Sequence, residues 1–288
     1  MIDLIIDKRT RDLGGGFEVG RVLPFAKRRM VGPFIFFDQM GPVDFAPGIP
    51  RELDVRPHPH IGLSTVTYLY SGAMTHRDSL GFKQEIRPGA VNWMTAGKGI
   101  THSERLEYAR MNGAHMHGIQ AWVALPNEDE EIDPGFWHHP EDSLPGWTEP
   151  GLAARLIAGT SEGMDAGVNV RSPLFYMHWD MQPGASRHVP EGHSERAVYV
   201  AAGAAEVAGQ RLTAGQMAVL GKGSVRVTAD GPATVMVLGG EPVGERFIFW
   251  NFVSSSRERL EQAKEDWKQG RMKLPDGDAE EFTPLPES

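Results

Sequence analysis

The chain has 288 residues, a formal net charge of −9, a hydrophobic fraction of 40% and a charged fraction of 23%, the profile of a globular protein with room for one large domain or two of normal size. The acidic balance, with a sequence pI near 5.7, argues against direct nucleic-acid binding, which needs a basic surface, and the short cluster Lys27-Arg28-Arg29 reads as a solvated loop. With no cysteine, disulfides, thiolate nucleophiles and zinc–thiolate sites are excluded.

The chain opens on Met1-Ile-Asp-Leu-Ile-Ile-Asp-Lys, whose acids interrupt the short apolar run, so no signal peptide is expected there. No stretch approaches a membrane span of about 18 apolar residues, and a cytoplasmic location is expected. Residues 1–55 mix strand-like runs with turns. Gly14-Gly15-Gly16 lacks the Lys-Ser/Thr ending of a phosphate loop and is read as a turn.

From 58 to 126 the sequence predicts strand after strand. Ser64 to Tyr70 is β-branched and aromatic and stops at Ser71-Gly72; Glu85-Ile86-Arg87 runs into Pro88-Gly89; Ala90 to Met94 ends near Gly97; His117 to Leu125 closes at Pro126. Turn signals at intervals of about 8–12 residues suggest a sandwich or barrel. Residues 127–150, acidic at Asn127 to Glu131 and punctuated by Pro134, Pro140, Pro145 and Pro150, read as a connector.

The strand pattern resumes over 151–240 and repeats the first half. Thr67 to Gly72 resembles Val198 to Gly203, and Arg87 to Met94 resembles Thr213 to Leu220. The paired glycines are Gly72 and Gly89 in one copy, Gly203 and Gly215 in the other. The expected organisation is therefore a first β-domain over 1–126, the connector 127–150, a second β-domain over 151–240, and a C-terminal strand, helix and loose tail over 241–288. The helix is predicted from Arg257 to Lys268, capped within Ser254-Ser-Ser256, closed by Gly270, with Leu260, Ala263, Lys264 and Trp267 on one docking face. Beyond Pro275 the acidic, Pro-bearing chain reads as loose.

Two polar pairs carry the chemistry. Alternate strand residues share a face, so His58 and His60 project together, with Cα atoms roughly 6.5 Å apart, a span one metal ion bridges through two imidazoles. His102 and Glu104 repeat the alternation with a carboxylate. If both pairs converge inside a barrel, they sum to three imidazoles and one carboxylate, a set that suits a first-row metal.

Arg56-Pro-His-Pro-His-Ile-Gly62, Pro88-Gly89 and Trp93 to Glu104 together resemble the signature of the pirin family, as do His117 to Pro126 and Phe249-Trp-Asn-Phe252. The resemblance implies an all-β bicupin, two tandem antiparallel β-barrel or jelly-roll domains, with one metal centre in the N-terminal cupin. Carried over residue by residue, the ligands are His58, His60, His102 and Glu104. Thr65 stands where a general cupin has a glutamate ligand before Gly72, and the carboxylate has moved to Glu104 beside His102; pirins share that departure. In the second copy the corresponding positions fall near Val189, Glu191, Thr228 and Asp230, so no second centre is expected there, and His188 and His193 read as loop histidines.

The resemblance further implies Fe(II) as the metal, with Mn, Co, Ni, Cu or Zn able to occupy the same donors. It implies a quercetin-type flavonol 2,3-dioxygenase reaction, with O2 and a small aromatic substrate as partners and Glu104 as catalytic base. A redox-sensing or transcriptional co-regulatory role, through a protein partner, is the alternative it carries. His115 and His117 are expected to support the site or the fold, His76 to shape the cavity rim, and His138-His139 to lie at the surface.

Overall fold

The computed structural model describes residues 1–12 and 17–287; the turn expected at Gly14-Gly15-Gly16 lies outside them. The chain forms two compact units. One comprises Met1–Thr10, Gly20–Gln39 and His139–Pro242; the other Arg11–Val19, Met40–His138 and Val243–Ser288. Each is a cupin-type antiparallel β fold, as expected, and the helix of the C-terminal segment belongs to the second. The stretch 127–150 contributes short strands, Gly135–His139 and Gly146–Glu149.

In the first unit one sheet runs Ile2–Asp7, Gln216–Leu220, Glu195–Ala202, Ala233–Gly240, Leu174–Met181, Leu152–Ser161, Gly146–Glu149, and a four-stranded sheet carries Ser186–His188, Arg226–Ala229, Ala204–Val207 and Gln210–Thr213. Its core is aromatic, with Phe34, Phe37, Phe175, Tyr176, Trp179 and Tyr199 all fully buried, and edge-on ring contacts such as Phe37–Tyr199 at 5.0 Å.

In the second unit one sheet carries Gly135–His139, Val91–Thr95, Leu63–Ser71 and Ala114–Ala124 as successive neighbours, and a four-stranded sheet runs Val55–His60, Ile100–Arg105, Met74–Asp78, Lys83–Ile86. Strand Ile100–Arg105 is therefore flanked on both sides, which fixes the direction of its side chains. An apolar cluster around Leu69, Met74, Ile86 and Met116 fills the interior.

The repeat seen in the sequence has a physical counterpart. Gly89 donates its N–H to the Leu69 carbonyl at 3.0 Å, and Gly215 donates to Val200 at 2.8 Å; each acceptor stands three residues before the turn glycine of its copy. All four turn glycines adopt positive φ: 86° at Gly72, 79° at Gly89, 73° at Gly203 and 94° at Gly215.

Helix Arg257–Lys268 is capped by Ser256, whose hydroxyl accepts from the Arg259 N–H. It buries Leu260, Ala263 and Trp267 against Ile61 and Phe252, so it docks directly behind the His60 strand. The acidic run of the expected connector and the tail expected to be loose are both held by buried carboxylates. Glu130 is buried, accepts from Ser254 and Ser255 and forms an ion pair with Arg246; a carboxylate tolerates burial when so paired. The tail beyond Pro275 is fastened by Asp278, also buried, which bonds Ser103 and Arg105.

Candidate metal centre

His102 faces His58 directly in the antiparallel ladder between Ile100–Arg105 and Val55–His60. Residues paired across a ladder share a sheet face, and alternation adds His60 to the same side. The three imidazoles meet there, with ring centroids at 4.4 Å (His58–His102), 5.0 Å (His58–His60) and 5.0 Å (His60–His102). One ligand nitrogen from each lies within 4.8 Å of the other two, and all three residues are buried. Glu104 does not join that close group. It shares the inward face of the strand, beyond an irregularity in pairing between His102 and Glu104.

The protonation pattern of the rings follows from their partners. His58 Nδ1 lies 2.8 Å from the Arg56 carbonyl and His60 Nδ1 3.1 Å from the Asn251 carbonyl. A carbonyl only accepts, so each Nδ1 carries the proton and each Nε2 keeps its lone pair. His102 reaches the same state through a relay. Asp78 accepts from His76 Nε2 at 2.8 Å, leaving His76 Nδ1 as an acceptor 3.3 Å from His102 Nδ1. Among the described residues, Nε2 of His60 and of His102 is buried without a hydrogen-bond partner. Orphaned lone pairs on a set of converging imidazoles are what a divalent metal satisfies, and the Nδ1 hydrogen bonds are the outer contacts that orient such ligands. The residues present therefore fit a metal ion.

Electrostatics point the same way. Burial lowers the His58 pKa to about 4, against the Arg56 hydrogen bond, which raises it. Burial, reinforced by the neighbouring imidazoles, holds His60 and His102 well below the ordinary histidine range. All three are neutral, metal-competent donors at neutral pH. Burial pushes the Glu104 carboxyl up to about 7, against hydrogen bonds from Gln120 and Thr67. Gln120 Nε2 donates to Glu104 at 3.1 Å, and Thr67 Oγ1 donates to the Gln120 carbonyl at 2.7 Å.

Other histidines fall differently. His76, expected at a rim, is buried, stacked on Phe136 at 4.3 Å and bonded to His102. The His76-Arg77-Asp78 alternation was the signal for it: the two polar side chains share the face of His102, opposite Asp78 in the ladder. His117 packs on Tyr70, whereas His115 is exposed and pairs with Asp44. His138, half-buried, bonds Asn92; His188 is exposed and bonds Ser224. Asn251, Gln120 and Thr67 carry no metal-site pattern of their own. Asn251 acts through its backbone carbonyl, which any residue would supply, so only the Phe249-Trp-Asn-Phe252 resemblance hints at it.

Comparison with known proteins is consistent over the whole chain. The family model described as Pirin matches residues 16–123 and that described as Pirin C-terminal cupin domain matches 176–273. A pirin-like protein of Caulobacter vibrioides is 61% identical over all of both chains. A Pseudomonas aeruginosa protein provisionally named quercetin 2,3-dioxygenase is 39% identical over 92% of this chain and 83% of its own. The crystal structure of an Acinetobacter baumannii quercetin 2,3-dioxygenase is 34% identical and superimposes with a TM-score of 0.91, covering 99% of this chain and 95% of that one.

Proposed function

The chain belongs to the pirin family, and from that premise we propose that it is a metal-dependent dioxygenase opening a flavonol ring of the quercetin type with O2. One observation carries the reading: three buried neutral imidazoles bring one ligand nitrogen each within 4.8 Å of the others, with Nε2 of His60 and of His102 unpartnered among the described residues, beside a carboxylate whose pKa is raised to about 7. The relatives named for quercetin 2,3-dioxygenase, at 34% and 39% identity, support the substrate class.

His58, His60 and His102 would hold the ion through Nε2, and Glu104 through a carboxylate oxygen. When bound, a divalent first-row metal, Fe(II) in this reading, supplies Lewis acidity toward a flavonol hydroxyl and a binding position for O2. Glu104 has a second task, to accept the proton of that hydroxyl, which metal binding acidifies so that a modest base suffices. Gln120 and Thr67 hold the carboxylate in one orientation. Trp122, edge-on to His60 at 5.1 Å, packs against the ligand shell. The reading places the reaction in the cytoplasm, supported by the acidic, cysteine-free composition; no helix among the described residues is long and apolar enough to cross a membrane.

The test is O2 uptake by iron-loaded protein given quercetin, with the metal content fixed by elemental analysis. Uptake matching quercetin loss is expected, and His60→Ala or Glu104→Ala should abolish it. A protein carrying one metal per chain that leaves quercetin intact would sink the assignment, as would wild-type rates in either variant.

A further inference from the structure

Strand Ile100–Arg105 turns His102 and Glu104 to the interior, and the same alternation turns Thr101, Ser103 and Arg105 outward. All three outward side chains are held by one segment from the far end of the chain. Thr101 Oγ1 donates to the Lys273 carbonyl. Ser103 Oγ donates to Asp278 Oδ2 at 2.6 Å, and Arg105 forms a two-pronged pair with both Asp278 oxygens, at 2.8 and 2.6 Å. The segment continues to the neighbouring ligand strand, where Thr283 donates its N–H to the Pro57 carbonyl at 2.8 Å, one residue before His58. Its own anchor is the C-terminal helix: Trp267 Nε1 donates to the Thr283 carbonyl, and Phe282 packs edge-on to the Trp267 ring.

Asp278 is buried at 8% exposure and Arg105 at 2%, so the pair is shielded from water, and a two-pronged charge-assisted contact is both strong and directional. These contacts lie on the back of the ligand strand, where they cannot touch a metal or a substrate. They can fix the spacing of His102 and Glu104 against His58 and His60. We propose that Asp278 is a positioning residue for the metal centre, and that residues 273–283 form a clasp whose closure sets how tightly the metal is held. This rests on the assignment of His58, His60, His102 and Glu104 as the ligand set.

The experiment uses the full-length protein loaded with Co(II), which reports its ligand geometry through its visible bands, and follows metal release to excess EDTA. Asp278→Asn should release Co(II) about tenfold faster than wild type or more, the scale on which outer contacts tune metal sites, and should shift the visible bands. Thr283→Pro, which deletes the N–H donated to the Pro57 carbonyl of the other ligand strand, should move release in the same direction. Asp276→Asn removes an equal charge from the same segment at an exposed ion pair with Lys273, and it should release metal at the wild-type rate.

Hydrogen exchange of the metal-free proteins reads the clasp without the metal: amides 101–105 should exchange faster in Asp278→Asn. If that variant does not fold, the double variant Arg105→Met/Asp278→Leu replaces the buried pair by apolar groups that cores accept, and the same release rate and bands are read in it. Wild-type release and bands in a folded Asp278 variant overturn the clasp. Wild-type protein that takes up no Co(II), with exchange at 101–105 still dependent on Asp278, overturns the ligand set and leaves the strand contact standing.

Discussion

His102 sits directly across the ladder from His58, their ring centroids 4.4 Å apart, so two residues 44 positions apart in the chain become the near edge of one donor set. The remainder of the site is arranged around that pairing, with His60 two residues along one strand, Glu104 two along the other, and His76 on the third strand behind His102.

The relay behind His102 depends on Asp78 accepting a hydrogen bond from His76 Nε2. In Asp78→Asn the Oδ1 bonds to the Leu80 and Phe82 N–H groups are kept by the amide oxygen, while the amide nitrogen now faces His76 Nε2. That drives the His76 proton to Nδ1, opposite His102 Nδ1, and pushes His102 toward the tautomer whose Nε2 has no lone pair to give. Metal affinity should fall roughly 10–100-fold by chelator competition, with circular dichroism unchanged. Wild-type affinity would show that the relay does not set the tautomer.

Glu104 makes a signed pH prediction for the metal-free protein. Its folded-state value is raised from 4.5 to about 7, so its contribution to stability is full below 4.5 and is lost as pH rises through about 7. The buried imidazoles run the other way. Their values are lowered, to about 4 at His58, so their contribution is present above 6.5 and lost as pH falls toward 4. Glu104→Gln leaves the imidazoles in place and removes the carboxyl. On going from pH 5 to pH 8 the variant should gain on wild type by roughly 3 kcal/mol, read from urea unfolding at the two pH values. An equal stability difference at both would refute the raised value of the buried Glu104 carboxyl.

Gln120 and Thr67 lower the Glu104 value against burial. Gln120→Leu removes the donor at 3.1 Å, so the carboxyl should rise further and the acid limb of the kcat/KM profile should move to higher pH, with kcat reduced about tenfold or more. A reduced rate on an unmoved profile would mean that Gln120 acts on substrate and not on the base.

Gly62 follows the His58–His60 strand with φ at +69°, and a Cβ there would stand 2.0 Å from the Val253 carbonyl oxygen. Gly62→Ala combines left-handed strain with a backbone clash and should destabilise the protein by more than about 2 kcal/mol. Denaturant unfolding checks this; a wild-type midpoint would mean that the turn is not required.

Much of this was legible in the residues. The i, i+2 pairs at His58/His60 and His102/Glu104 announce shared faces because a strand alternates with period two, whatever surrounds it. The repeat was visible in turn glycines, because positive φ constrains the residue at that position, and the helix in its serine cap and its spaced Leu260, Ala263 and Trp267. His76 was expected at a rim because its alternation with Asp78 shows only that the two share a face, and which strand lies beside that face is set by the ladder. The buried state of Glu130 and Asp278 was hidden for a related reason. An acidic run looks solvated until Arg246 and Arg105, distant in sequence, supply the charge that offsets desolvation.

Local alternation, then, settles which side chains face the same way, since backbone geometry alone dictates it. Pairing across strands is non-local: it depends on which edges hydrogen-bond and in what register. The fold therefore selected His58 as the partner of His102, made the Asn251 carbonyl the acceptor for His60, and brought the carboxylate of Asp278 to the back of the strand that carries His102 and Glu104.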